Sequence, residues 1–331
     1  MSNVVKQNVP IIILALLSPI IAELLSGSAP PLEFFNPFGF MLLVGLYGSG
    51  VIIVRELCIK WKKGWGSILL LGAAYCIIEE GLAVKSFFDP NWMDLGILGI
   101  YGRWIGVNWV WSFCLTIFHT IYSIAIPILI FSLIFPSLKN KRLLSDKGLT
   151  VCFAILLFIV GVCYFFLTPY KSNALLYLTT MIVVAMLVVA SWKIKADYVT
   201  ARNVESIVKP IWFGAVGIAF GFLFFFIMYA VPHLVPFPII PILLEGILCL
   251  LVLLFVVKYS GRTKNFSHKL AFTSGLLSPL IFLAFIHEIN GIYGMSIVGI
   301  FFIVFLIYLR KRIGYYQRRM EELKPFSVDF E

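Results

Sequence analysis

Read for polarity alone, the chain is a series of long uncharged runs separated by short charged, Pro-rich or Gly-rich breaks. A helix needs about 20 apolar residues to cross the hydrocarbon core of a bilayer. Ten runs reach roughly that length, at about 9–26, 38–59, 65–84, 108–135, 149–168, 172–192, 211–231, 239–258, 268–288 and 292–310. The pattern predicts an all-α, polytopic transmembrane helix bundle of about ten helices. It assigns residues 1–310 to a single transmembrane domain and 311–331 to a basic tail that continues as a helix along the membrane surface. The two longest connections are about 85–107 and 193–210, and neither is large enough for a soluble domain.

The charges turn this pattern into a topology. Starting with the N-terminus inside and crossing ten times, the inner segments hold Lys6; Lys60, Lys62 and Lys63; Lys139, Lys141, Arg142 and Lys147; Lys193, Lys195, Arg202 and Lys209; Lys258, Arg262, Lys264 and Lys269; and Arg310, Lys311, Arg312, Arg318, Arg319 and Lys324. These are 22 of the 26 basic residues. Lys85, Arg103 and Lys171 fall outside, and Arg55 lies in or near a membrane segment. Lys and Arg favour cytoplasmic loops, so the expected arrangement is N-in/C-in. Trp92, Trp104, Trp109 and Trp111 then form a belt at the outer interface, and Trp61 and Trp65 flank the first inner loop. Lys6 before an apolar run and Ser26-Gly27-Ser28 after it resemble a signal peptide. Glu23 interrupts that run, however, and an uncleaved first helix is expected.

Composition narrows the classes further. The chain is 61% hydrophobic and 13% charged, against roughly 25% charged for a soluble domain. Its net charge of +10 sits between apolar runs, which points to an anionic membrane surface and not to nucleic acid. The expected location is an integral, multi-pass position in a prokaryotic plasma membrane, with the lipid bilayer as partner. The six cysteines lie in apolar runs without a C-x-x-C pair and read as small apolar fillers. No G-x-x-x-x-G-K-[ST] motif is present, so no nucleotide cofactor is expected.

Charged side chains at bilayer depth cost about 2.5–3.5 kcal/mol each on insertion scales and therefore usually face the bundle interior. The candidates are Glu23, Arg55, Glu56, Glu79, Glu80, His119, Glu245, His287 and Glu288. All but Arg55 and Glu56 fall toward the outer side, which predicts a cavity wetted from outside. Ser112, Thr116, His119 and Ser123 recur at i, i+4, i+7 and i+11, forming one helix stripe. Gly72, Ala73, Cys76, Glu80 and Ala83 share a face whose small side chains suit close packing. Glu79 is expected about 100° from it, near Tyr75 and Gly72. Two adjacent carboxylates in a low dielectric resist ionising together, so the pair suits a proton carrier, a cation ligand or a general acid/base. The pair also admits a structural role, with one glutamate joined to Lys85. His119 admits a single structural hydrogen bond, Arg55-Glu56 reads as a structural pair, and Asp89-Pro-Asn reads as a turn. Asp89 and Asp94 lie in a loop placed to act as a lid. A Glu-to-His spacing of about 40 residues occurs twice, as Glu80 to His119 and as Glu245 to His287. An inverted repeat would map outer positions to inner ones, which these two sets do not follow.

Glu79-Glu80 followed after about 40 residues by Phe118-His119 resembles the CPBP family of intramembrane proteases, over the third and fourth helices. That resemblance implies that Glu79 or Glu80 activates water and that His119 helps stabilise an oxyanion. The chain departs from the family pattern in having Lys85 one position beyond the expected Arg, Leu115 where Phe is expected, and only His287 with Asn290 as a later histidine motif.

Three function classes follow. The first is a small-molecule or ion-coupled transporter whose pathway uses Glu23, Glu79, Glu80, Ser112, Thr116, His119, Glu245, His287 and Glu288. The second is a membrane-embedded hydrolase or transferase acting on lipid or peptide, with Glu79, Glu80 and His119 catalytic. The third is a non-catalytic scaffold or immunity-type protein in which these groups are structural. Zinc or a coupling cation would suit the Glu and His donors, although no H-E-x-x-H motif is present. Of the three, the sequence favours the transporter, with the other two as alternatives.

Overall fold

In a bilayer core no water is present to satisfy backbone N–H and C=O groups, so a chain this apolar must bond them internally as helices. The computed structural model, which describes residues 3–196, 208–259 and 266–322, is almost entirely helical. Among these residues nine helices are long and apolar enough to span a membrane: α1 (Asn8–Leu25), α2 (Pro37–Lys60), α3 (Trp65–Ala83), α4 (Trp109–Ile134), α5 (Asp146–Leu167), α6 (Ala174–Lys193), α7 (Pro210–Leu234), α8 (Ile239–Tyr259) and α9 (Phe266–Ile289). The tenth predicted run lies in a helix, α10 (Met295–Glu322). It starts after Gly291 and Gly294, whose φ values of +87° and +91° make the tight turn out of α9. Its stretch before Arg310, Lys311 and Arg312, residues 295–309, is shorter than any of the nine helices above. The helix continues past the predicted boundary at 310. Arg202, Arg262, Lys264 and Lys324 from the charge pattern lie outside the described residues, as do the side chains of Lys6, Arg318 and Arg319.

The centre of the bundle is α3 and α4, with 67% and 72% of their most apolar stretches buried, against 11% for α6 and α8 at the periphery. Polar caps set several helix starts. Asn36 accepts from the Phe38 and Gly39 N–H groups ahead of α2, Asn108 from Trp111 ahead of α4, and Ser145 from Gly148 ahead of α5. Helices α7 and α9 pack backbone to backbone. A Cβ built on Gly217 would lie 2.5 Å from the Phe272 carbonyl oxygen and 3.0 Å from the Leu276 nitrogen, and one on Gly221 would lie 2.6 Å from Pro279. Small residues allow this approach, which larger ones forbid.

The two ends of the bundle differ in character. At one face Arg55 and Glu56 form a buried ion pair, Nη1 to Oε1, of 2.5 Å. Arg55 also donates to the Leu138 and Lys141 carbonyls, and Glu56 accepts from the Leu143 and Leu144 N–H groups. The pair therefore fixes the connection between α4 and α5. Lys60, Lys62, Lys63, Lys139, Lys141 and Arg142 gather at this basic face, where Arg312 of α10 also donates to the Ile134 carbonyl. At the other face lie the connections 26–36, 84–108, 168–173 and 290–294, tied together by His287 to the Ser26 carbonyl and Lys85 to the Thr168 carbonyl.

Removing one partner of a buried pair leaves the other unpaired, at about 3–5 kcal/mol. Glu56→Ala is accordingly expected to lower the thermal unfolding temperature in detergent sharply. Lys60→Ala, which breaks the exposed Lys60–Asp146 contact of 2.9 Å, is expected to change it little, since exposed pairs contribute about 0–1 kcal/mol.

Candidate functional site

The helices are interrupted near one depth. Six short π-helical turns occur among the described residues: Ile20–Leu25 in α1, Val44–Gly48 in α2, Ile77–Ala83 in α3, His119–Ala125 in α4, Cys163–Leu167 in α5 and Phe226–Ala230 in α7. A π turn widens the coil and shifts the direction of successive side chains, and such turns are frequent at functional sites. All six contribute to the wall of one cavity of about 840 Å³: Glu23; Leu46 and Tyr47; Glu79 and Glu80; His119; Cys163 and Leu167; and Phe226, Met228 and Tyr229. Glu79 and Glu80, both within the turn in α3, line the same cavity.

Three side chains meet at the wall. His119 Nε2 lies 3.0 Å from Glu80 Oε1, and His119 Nδ1 lies 3.2 Å from Glu79 Oε2 and 2.9 Å from Ser123 Oγ. One ligand atom from each of Glu79, Glu80 and His119 falls within 4.8 Å of the other two, so the trio offers the donors for a cation. All three are buried. Ser86, also buried, donates to Glu80 Oε2 and accepts from Trp111 Nε1 at 3.0 Å. This chain holds one oxygen of Glu80 and leaves the other for His119. Tyr47 donates to Glu23 on the same cavity, and its ring stands 6.0 Å from that of His119. Glu79 Oε2 has no hydrogen bond among the described residues.

The connection 84–108 reaches over the cavity with Trp92, Met93 and Asp94, in the lid position expected for it. Desolvation at the cavity mouth, and then the charge of Glu80, push the Asp94 carboxyl above its ordinary value. Asp89 turns away and accepts from the Asn91 N–H at 2.9 Å, as the Asp-Pro-Asn turn reading expects. Lys85 joins neither glutamate. It donates to the Tyr164 and Thr168 carbonyls, and burial, followed by the charge of Lys171, holds its amine below the ordinary lysine value.

Several predicted pathway residues lie elsewhere. Ser112 and Thr116 donate to the carbonyls four residues back, Asn108 and Ser112, and do not line the cavity. A hydroxyl on an apolar helix finds its nearest acceptor in its own backbone. Glu288 caps α10 by accepting from the Ser296 N–H at 2.8 Å. Glu245 is fully buried apart from the cavity, and its oxygens have no hydrogen bond among the described residues. Glu245 and His287 therefore form no second copy of the Glu80–His119 pair. His287 does line the cavity, over Gly27, where a Cβ would lie 2.7 Å from the ring, so the missing side chain makes its space. Trp111 belongs to the interior and not to an interfacial belt, because it is 3% exposed, whereas Trp104 is 67% exposed. Tyr47, Ser86 and Glu33 were not anticipated. Only Tyr47 carries a signal, a phenol in mid-span that needs a partner for its hydroxyl.

Ser86→Ala would strip a partner from both Glu80 and Trp111. Each buried group left unsatisfied costs about 1–3 kcal/mol. The variant is expected to unfold at lower temperature and to shift the near-ultraviolet circular dichroism of Trp111, while Ser112→Ala leaves both signals near wild type.

A family model matches residues 12–314, and its description is an uncharacterized membrane protein family. No curated protein and no solved structure matches the chain. Because the match spans nearly the whole sequence and the fold is a multi-pass helical bundle, the chain belongs to this uncharacterized membrane protein family.

Proposed function

We propose that the protein is a carrier in which Glu79, Glu80 and His119 form the coupling site for a proton or a small cation. The observation that carries this reading is the meeting of six π turns on the cavity that holds the trio. Broken helices at the substrate site are a recurring carrier device, because they combine exposed backbone groups with places where a helix can flex. The basic face, by the positive-inside rule, is the cytoplasmic one, so the cavity opens toward the other side of the membrane. On this reading the ends of the chain are cytoplasmic and α10 completes the tenth crossing.

Electrostatics also favour the carrier. Acyl-transfer and hydrolytic transition states develop negative charge and need donors aimed at it. The cavity lining has Glu23, Glu33, Glu79, Glu80 and Asp94, and among the described residues no Lys or Arg. Such a wall suits protons and cations better than an oxyanion. One observation favours a second reading. The placement of the His119 ring between both glutamates suits a base-and-relay pair that activates water, as the resemblance to CPBP proteases implies.

Proteoliposomes loaded with a pH-sensitive dye and challenged with a panel of small cations separate the two. The expected result is cation-dependent proton movement that Glu80→Gln and His119→Ala each reduce at least tenfold in vesicles matched for folded protein. Turnover of a peptide or lipid ester in detergent, abolished by the same substitutions and accompanied by no flux, would replace the carrier with the hydrolase.

A further inference from the structure

The walls of the cavity say more than its polar floor. Five carboxylates line it with two imidazoles and, among the described residues, no Lys or Arg, in a chain whose net charge is +10. Nine aromatic rings, among them Trp92, Phe118, Phe225 and Tyr229, make up much of the remaining wall. Ring faces carry partial negative charge and attract cations, Trp most strongly. The remainder of the wall is aliphatic, from residues such as Leu42, Leu115 and Leu283. A metal ion would use the trio alone and leave most of the 840 Å³ without a purpose.

Part of the aromatic wall is open: Phe222 and Phe226 of α7 and Phe282 of α9 line the cavity and are 43%, 53% and 52% exposed. The Phe222 and Phe282 rings meet across the two helices at 5.9 Å between centroids. Glu79, 1% exposed as a residue, presents to the cavity wall a carboxylate whose Oε2 faces His119 Nδ1 at 3.2 Å.

We propose that the cavity binds a lipophilic organic cation, an amine or quaternary ammonium on an apolar body, with its charge on the carboxylates and its body against the aromatic walls. As the cargo of a carrier, this rests on the function proposed above, whereas binding itself does not. A carboxylate that holds a proton gives it up when a cation takes its place, so cargo and proton exchange at one site.

Tetraphenylphosphonium and tetraphenylborate have the same shape and opposite charge, which separates charge from greasiness. The purified full chain in detergent is titrated with each, reading the fluorescence of Trp92 and Trp111 at two detergent concentrations. The expected result is saturable quenching by the phosphonium and none by the borate. Proton release should accompany the quenching in weak buffer, and Glu23→Gln or the rim variant Asp94→Asn should weaken binding at least fivefold. Equal binding of the borate, or no phosphonium binding alongside tight zinc binding that Glu79→Gln removes, would overturn the inference. Phosphonium binding without flux in proteoliposomes overturns the carrier and leaves the ligand class standing. Flux of another solute without phosphonium binding does the reverse.

Discussion

Two adjacent carboxylates held at bilayer depth govern this structure. Removing such charges from water is expensive, and the cost falls only if partners of the right kind surround them. The surroundings are specific: His119 between the two acids, Ser86 and Trp111 behind Glu80, and Tyr47 alongside on Glu23. Each partner comes from a different part of the chain, and the helices must be bent out of regular register to deliver it. The π turns follow from that requirement. They exchange regular helical pitch for side-chain direction at the depth where the acids sit.

The opposite face solves a similar problem differently. Arg55 and Glu56 neutralise each other and use their remaining donors and acceptors on the backbone between α4 and α5. Both charges of the pair have fixed partners, and the connection between the two helices is locked. The Glu79 trio is only partly satisfied, its acids outnumber its bases, and open space adjoins it. Two charge clusters in one bundle thus divide into an anchor and a reactive centre, and the difference lies in whether their hydrogen bonds close.

The sequence makes the bundle legible because the bilayer imposes one strong rule, a length of uncharged residues. Nine helices obey it within a few residues of the expected limits. It makes Glu79, Glu80 and His119 legible for the same reason, since a charge in such a run needs an explanation. It does not show the π turns, because widening a helix by one residue leaves the apolar pattern untouched. Ser112 and Thr116 read as a polar stripe because side-chain spacing is visible while back-bonding to a helix carbonyl is not. Glu288 and Trp111 show the limit of depth counting: one caps the next helix from the last turn of its own, the other turns inward from an interface.

The seam between α7 and α9 has a mechanical meaning. Gly217 and Gly275 put bare backbone against backbone and Gly221 rests on the Pro279 ring, so none of the three wedges a side chain between the helices when one tilts on the other. The aromatic residues that close the cavity sit further along the same helix. Twelve residues separate Gly217 from Tyr229, a lever of roughly 18 Å at helical rise. A tilt of about 10° at the seam would carry Tyr229 by about 3 Å. The smallest residues in the bundle thus form a fulcrum, and the largest ride on the far end of its arm.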